Sequence, residues 1–209
     1  MVTDLANAIL LDPGGFSNQG FAWRWEIPPE LRFRASVNIL EHLATIISPW
    51  VDMIAGRLNR GDCSLSMGDN TTSAGWIPKS NFNEFTYPEE PIQTEVSCIM
   101  CHHHATMFME RGIKEYSQWF EGQKNQVADS LSRDFDRSDD ELTEVLRTFL
   151  PSQVPPDFKI VPLPNNIVSW LTSLLQMLPV KPQLQERHTR TKIGCGTMVY
   201  IRRIHWTWT

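Results

Sequence analysis

The change of hydrophobic period near residue 37 constrains the fold of this chain more than any other feature. From Phe21 to Ile27 apolar and charged residues alternate, which is typical of a half-buried strand. From Val37 to Ile54 apolar residues recur every three or four positions, which predicts an amphipathic helix with Pro49 inside it. From Cys63 to Gly68 the alternation returns. A strand, a helix and a strand in this order indicate an α/β protein with a mixed sheet.

The other predicted elements extend the same pattern along the chain. A first strand over Ala8–Leu11 should end in a turn at residues 12–15 and pair with the strand that begins at Phe21. A further early strand over residues 33–37 is an alternative. The remaining predictions are helices over 71–77, 91–112, 125–133, 139–150 and 166–178, a strand over 113–120, a loop over 78–91 and a linker over 152–157.

Composition narrows the class of protein. The 209 residues are 41% hydrophobic, which is enough for a core, and the net charge of −5 argues against a strongly basic nucleic-acid binder. Four cysteines without a signal-peptide pattern at the start predict an intracellular chain with no disulfide framework. No apolar run approaches the length of a membrane span, so we expect no membrane partner.

The segment SCIMCHHHAT, residues 97–106, contains the ligand types of a zinc site. The candidate ligands are Cys98, Cys101 and one of His102 or His104, with Cys63 on the neighbouring strand as a fourth. Zinc needs four ligands that converge, and no better fourth ligand lies nearby. We therefore interpret the segment as helix and expect no zinc. The helical stripe predicted to pack comprises Cys98, Cys101, His102, Ala105 and Met109.

Three acidic residues stand at informative places on the predicted elements. Glu41 lies on the long helix, Asp69 ends a strand, and Asp129 lies in the first turns of a later helix. Carboxylates at strand ends and helix starts can converge at one edge of a sheet. A group of three or four is what two hard divalent cations need, because Mg²⁺ prefers oxygen ligands. Two such ions about 3.5–4 Å apart can activate a water and stabilise the leaving oxygen in phosphodiester hydrolysis.

The sequences around these acids resemble the ribonuclease H region of retroelement reverse transcriptases. The matching segments are NILEHLA with Glu41, MGDNTTSAGWIPKSNF with Asp69, and YSQWFEGQKNQVADSLSRDF with Asp129. They follow one another in this order between Phe21 and about Asp136, and NQVADSLSR is the most specific of them. The resemblance implies a ribonuclease H-like mixed sheet flanked by helices, and the residues after about 136 predict a helical and partly disordered C-terminal tail.

The resemblance, together with a change in sequence character after about residue 136, predicts a division of the chain. Residues 1–136 would form the ribonuclease H-like domain, 137–180 a helical extension, and 181–209 a basic, disordered tail. No reverse transcriptase palm or fingers precede the domain, so we expect a fragment whose partner domain is missing.

The resemblance further implies an activity and the residues that perform it. The metal ligands would be Glu41, Asp69 and Asp129, holding two Mg²⁺ or Mn²⁺ ions. The reaction would be hydrolysis of the RNA strand of an RNA–DNA hybrid, with the strands distinguished through 2′-hydroxyl contacts. The candidates for nucleic-acid contacts are Asn70, Thr71, Lys124 and Asn125.

One metal ligand of the family has no clear counterpart in this sequence. The family carries an Asp on its first strand before a glycine-rich turn, and counting back from the glycines at 14–15 places it on Asn7. Asp4, Asp12 or a residue upstream of Met1 are the alternatives. A neutral Asn7 would supply an oxygen but no charge, which weakens metal binding and water activation. The resemblance therefore implies either an active ribonuclease H-type endonuclease or a catalytically dead relic that retains at most nucleic-acid binding.

Overall fold

A computed structural model describes residues 12–69, 91–119, 121, 125–180 and 196–202, with the backbone alone for 91–93 and 196–202. The described residues form an α/β structure with one mixed sheet. Its strands are β1 (Gly14–Ser17), β2 (Phe21–Arg24), β3 (Cys63–Gly68), β4 (Lys114–Trp119), β5 (Lys159–Ile160) and β6 (Gly196–Arg202). The helices are α1 (Val37–Ile54), α2 (Pro91–Arg111), α3 (Gln126–Arg133), α4 (Asp139–Phe149) and α5 (Asn165–Met177), with a 3₁₀ turn at Pro29–Leu31. None of these described helices is long and apolar enough to cross a membrane.

The strands of the sheet lie in the order β4-β3-β6-β1-β2-β5. β6 is parallel to β1 and antiparallel to β3, while β4 is parallel to β3. Gly14 pairs with Gly196, and Gly68 pairs with Thr197. One end of the sheet therefore collects the starts of β1 and β6 and the ends of β3 and β4. We name it the Asp69 end, because Asp69 directly follows β3.

Two hydrophobic clusters lie on the two faces of the sheet. α1, α2 and α5 cover one face, where Ile47 packs with Trp23. α3 and α4 cover the other face, where Leu131 packs with Phe16 and Ala22. Successive residues of a strand point to opposite faces, so Ala22 and Trp23 of β2 belong to different clusters.

Helix α1 carries a stripe of buried polar residues. Its members are Glu41, Thr45, Ser48 and Asp52. Ser48 Oγ accepts a hydrogen bond of 3.0 Å from Trp23 Nε1 in β2. Asp52 Oδ1 accepts one of 3.3 Å from the hydroxyl of Ser17 at the end of β1. The stripe recurs every three or four residues, so the whole stripe, Glu41 included, lies on the side of the helix that faces the sheet.

Gly14 and Gly15 lie in strand β1, not in the turn predicted at residues 12–15. A Cβ on Gly14 would lie 3.0 Å from the Cβ of Leu131 and 3.1 Å from its carbonyl carbon. Helix α3 therefore packs against β1 more closely than a side chain at this position would allow. A glycine inside a strand often marks such a close approach.

We expect the replacement Gly14→Ala to lower the free energy of unfolding by about 1–3 kcal/mol, because the added methyl overpacks a site already in contact with backbone atoms. Gly68→Ala in β3 is the matched control, since no atom of the described residues lies within 4 Å of the position its Cβ would take. It should be neutral or slightly stabilising, because alanine loses less backbone entropy than glycine on folding. Urea unfolding measures both, and equal effects would contradict the close packing of α3.

The helical extension packs onto the same sheet as the preceding residues. β5 pairs with β2, and Leu142 of α4 belongs to the second cluster. Arg24 of β2 donates hydrogen bonds of 2.7 and 2.6 Å to the carbonyl oxygens of Asp134 and Arg137. It also pairs with Asp139 at 2.7 Å. The limits of the domains at 136 and 180 stay a prediction.

The predicted boundaries of α1 and β3 are confirmed, while three other predictions need correction. No strand forms at 33–37, where Phe33 has a φ of 64°. The strand that begins at Phe21 ends at Arg24, not Ile27. Residues 196–202 form strand β6, although the tail was expected to be disordered. Its central run MVYI favours a strand, and the basic residues around it concealed this signal. The predicted elements at 8–11, 71–77 and 78–90 lie outside the described residues.

Candidate functional site

Asp69 and Asp129 lie within interaction range at the Asp69 end of the sheet. Asp129 lies in the first turn of α3, on the face of the sheet that this helix covers. Burial is the main cause that raises the pKa of Asp69 to about 6, and the negative charge of Asp129 raises it further. A hydrogen bond from Asn125 and the positive charge of Arg133 act in the opposite direction. The fold thus brings together two of the three carboxylates predicted as ligands.

Asn125 connects Asp69 to the start of helix α3. It directly precedes α3 and is 2% exposed, but its side chain makes no capping bond to the helix. Its amide donates a hydrogen bond to the Asp69 carboxylate instead. An asparagine at this place normally accepts from the first turn of its own helix, so its use toward β3 holds Asp69 beside α3. A contact of Asn125 with nucleic acid stays a prediction.

Glu41 lies on the opposite face of the sheet from Asp129, at the same end. It is 1% exposed and belongs to the polar stripe of α1. The stripe reaches the far end of the sheet at Asp52, which bonds to Ser17. Glu41 precedes Asp52 by about 16 Å along the helix axis, at about 1.5 Å per residue, so it lies toward the Asp69 end. Within the described residues, no group of three or more His, Cys, Asp or Glu side chains converges closely enough to hold a metal ion.

Two further residues at the site were missed from the sequence. Arg133 Nη2 lies 3.9 Å from Asp129 Oδ1, and Trp119 Nε1 donates a hydrogen bond of 2.8 Å to the backbone oxygen of Asp69. The i, i+4 spacing of Asp129 and Arg133 on one helix was a signal that could have identified the arginine. No local signal identifies Trp119, because its contact depends on the pairing of β3 with β4.

The other predicted positions divide into two groups. Outside the described residues lie Asp4, Asn7, Asn70, Thr71 and Lys124. Asp12, the third candidate for the first-strand ligand, is described and has structural partners. Its Oδ1 accepts a hydrogen bond of 2.8 Å from the backbone N–H of Ile27, and its Oδ2 lies 3.7 Å from Arg32. Asp12 thus fastens the segment after β2 to the start of β1.

The cysteine and histidine segment lies on α2, against α1 and β4. Cys101 Sγ lies 3.8 Å from His42 Nε2 of α1, and His104 Nε2 lies 3.0 Å from Glu115 Oε1 of β4. Burial lowers the pKa of His42 to about 3, with a smaller contribution from His104, and raises that of the Cys101 thiol to about 11. His42 and Cys101 are therefore neutral near pH 7 and pack together as a buried polar contact.

The predicted packing stripe of this helix is only partly right. Cys101 is buried, but Cys98, His102 and Met109 are exposed. The buried side instead includes Met100, Cys101, His104, Met107 and Phe108. The reason is that α2 packs against α1 and α5 and pairs His104 with Glu115 of β4, which selects a different face. Cys98 and Cys101 consequently lie in different surroundings.

The oxygen donors at the Asp69 end suit a hard divalent cation. The negative charges of Asp69 and Asp129 oppose each other, and a cation between them would relieve this repulsion. These two carboxylates would hold it, with Glu41 as the third acidic residue toward the same end. Carboxylate oxygens are the donors that Mg²⁺ and Mn²⁺ prefer.

Comparisons with known proteins provide no family assignment for this chain. The chain matches no protein-family model, no curated protein and no solved structure.

Proposed function

We propose that this chain is a retroelement-derived, ribonuclease H-like domain that hydrolyses the RNA strand of an RNA–DNA hybrid with two divalent cations. The observation that carries the proposal is the meeting of Asp69 and Asp129 at one end of a mixed sheet. Both lie in the segments that carry the resemblance. Asn125, from the most specific of those segments, donates a hydrogen bond to the Asp69 carboxylate.

Each residue of the site has a distinct task under this proposal. Asp69 and Asp129 would hold the cations, and Glu41, which lies toward the same end, is the third ligand that the resemblance implies. When bound, the cations supply water activation and stabilise the charge that develops on the phosphate. Asn125 orients the Asp69 carboxylate, and Arg133 offsets the charge of Asp129. Because the pKa of Asp69 is about 6, the site binds cations less well as the pH falls through that value.

A cleavage assay on a hybrid tests the proposal. The substrate is an RNA–DNA hybrid labelled on the RNA strand, incubated with the protein and Mg²⁺ or Mn²⁺. We expect the RNA of the hybrid to be cut, cleavage to stop on chelation, and the rate to decline below about pH 6. Duplex RNA and duplex DNA are the matched substrates that should stay intact. An intact hybrid with either cation would contradict the nuclease.

A catalytically dead relic of the same fold is the second candidate. The observation that favours it is the neutral Asn7 at the position implied for the first-strand ligand. Such a chain would bind the hybrid without cutting it. The replacement Asn7→Asp then distinguishes two cases, since a gain of cleavage would show that Asn7 occupies the ligand position. If Asn7→Asp does not gain cleavage, then either Asp4 occupies the ligand position or the first-strand ligand is absent.

A further inference from the structure

The last described strand of the chain occupies the middle of the sheet. β6 lies between β1 and β3 and pairs with both. In the order β4-β3-β6-β1-β2-β5, no other strand connects β3 and β4 to the three strands on the far side. Removal of β6 from the described sheet would therefore leave two separate sheets, one of two strands and one of three.

The two interacting acids belong to different sides of this connection. Asp69 directly follows Gly68, the β3 residue that pairs with Thr197 of β6. Asp129 is carried by α3, which packs on β1, β2 and β6. Neighbouring strands lie about 4.8 Å apart, so β6 sets the distance of β3 from the strands beneath α3.

The pairing of β6 is also the most distant in sequence. Gly14 pairs with Gly196, so almost the whole chain lies between the two partners. Contacts of such separation form late, because loop closure costs entropy before the pairing repays it. Without β6, β1 and β3 would each lack a strand partner on one edge, and the backbone groups on that edge would have to bond to water.

We propose that strand Gly196–Arg202 is the positioning element of the site: by joining the two parts of the sheet, it places Asp69 beside Asn125 and Asp129. The structural part of this inference stands independently of the activity. The catalytic consequence rests on the proposed nuclease function.

Native-state hydrogen exchange on the unmodified chain tests the structural part. We expect the amides of β1, β3 and β6 that bond across the two interfaces to exchange with one common protection factor, as a single cooperative unit. Loss of β6 exposes both neighbours at once, so its opening should limit all three. Exchange of β6 amides at least about tenfold faster than those of β1 and β3 would overturn the inference.

Two proline variants in the same strand test the placement of the site. Thr197→Pro removes a ladder N–H at the Asp69 end, while Arg202→Pro changes the far end, where the residue pairs with Cys63. Thr197→Pro should accelerate exchange at Gly15 and Gly68 by at least about tenfold and lower hybrid cleavage by a similar factor. Arg202→Pro should change neither by more than about twofold.

The outcomes separate the two proposals. If the unmodified chain cuts no hybrid, the nuclease fails, while the exchange data still decide whether β6 joins the sheet. If the chain cuts and Thr197→Pro cuts equally well with unchanged exchange at Gly68, then β6 is not the positioning element. If Thr197→Pro does not fold, the exchange of the unmodified chain alone gives the decision.

Discussion

Replacement of Asp69 by asparagine is expected to lower the rate of RNA-strand cleavage by about a hundred- to a thousandfold. Groups that stabilise charge at a reacting centre contribute on that order when they are removed singly. The substituted side chain would keep one oxygen toward the cation but lose the negative charge. It would also present its amide N–H groups where Asp69 now accepts from Asn125. Single-turnover cleavage of the labelled hybrid at saturating Mg²⁺ measures the loss.

Three matched variants show whether the loss is specific to the site. Asp129→Asn should have an effect similar to that of Asp69→Asn. Asn125→Ala should cost about ten- to a hundredfold, as is usual for a residue that orients a metal ligand, and higher Mg²⁺ should restore part of it. Asp140→Asn, an exposed acid on α4, should leave the rate unchanged. Equal rates for Asp69→Asn and the unmodified chain would contradict the assignment.

Replacement of Asp52 by asparagine is expected to change the free energy of unfolding more favourably at pH 7.5 than at pH 4. Asp52 is buried, and burial raises its pKa from 3.8 to about 6, against the opposing influence of Ser17 and Arg57. The folded state therefore holds its proton more tightly than the unfolded state. The contribution of Asp52 to the free energy of unfolding is fully present below about pH 4 and is lost as the pH rises through about 6. The pKa difference corresponds to roughly 3 kcal/mol at most.

Urea unfolding at the two pH values measures this effect. The asparagine oxygen can still accept the hydrogen bond from Ser17, so Asp52→Asn should differ from the unmodified chain mainly by the missing charge. Asp136→Asn, at an exposed position, is the control and should change the free energy of unfolding by less than about 0.5 kcal/mol at either pH. The same change for Asp52→Asn at both pH values would show that the carboxylate is not the pH-dependent group.

The elements that were predicted correctly are those whose signal is local. Val37–Ile54 and Cys63–Gly68 each have a regular period of hydrophobicity, and both boundaries agree with the structure. β1 was missed because two adjacent glycines are typical of a turn. Their place in a strand is decided by Leu131, which is remote in sequence and leaves no trace near Gly14. β6 was missed for a different reason, since the basic residues around its run MVYI concealed a local signal.

The candidate site was likewise predicted only in part. The resemblance singled out Asp69 and Asp129 as ligands, and the structure places these two within interaction range. Spacing in sequence carried little of this information, because the meeting depends on the order of the strands. The bond from Asn125 to Asp69 could not be predicted from the local pattern, which favours a helix cap. Only the packing of α3 across the sheet makes Asp69 the available acceptor.

The buried polar stripe of α1 has a consequence for residues that it does not touch. The bonds from Trp23 to Ser48 and from Ser17 to Asp52 fix both the rotation and the axial position of this helix. These directional bonds add to the apolar packing, because their geometry is lost when the helix shifts or rotates. The two bonds therefore help to fix the position of Glu41, although they lie further along the same helix. Ser48→Ala would remove one of these two bonds and take away the acceptor of the Trp23 indole N–H.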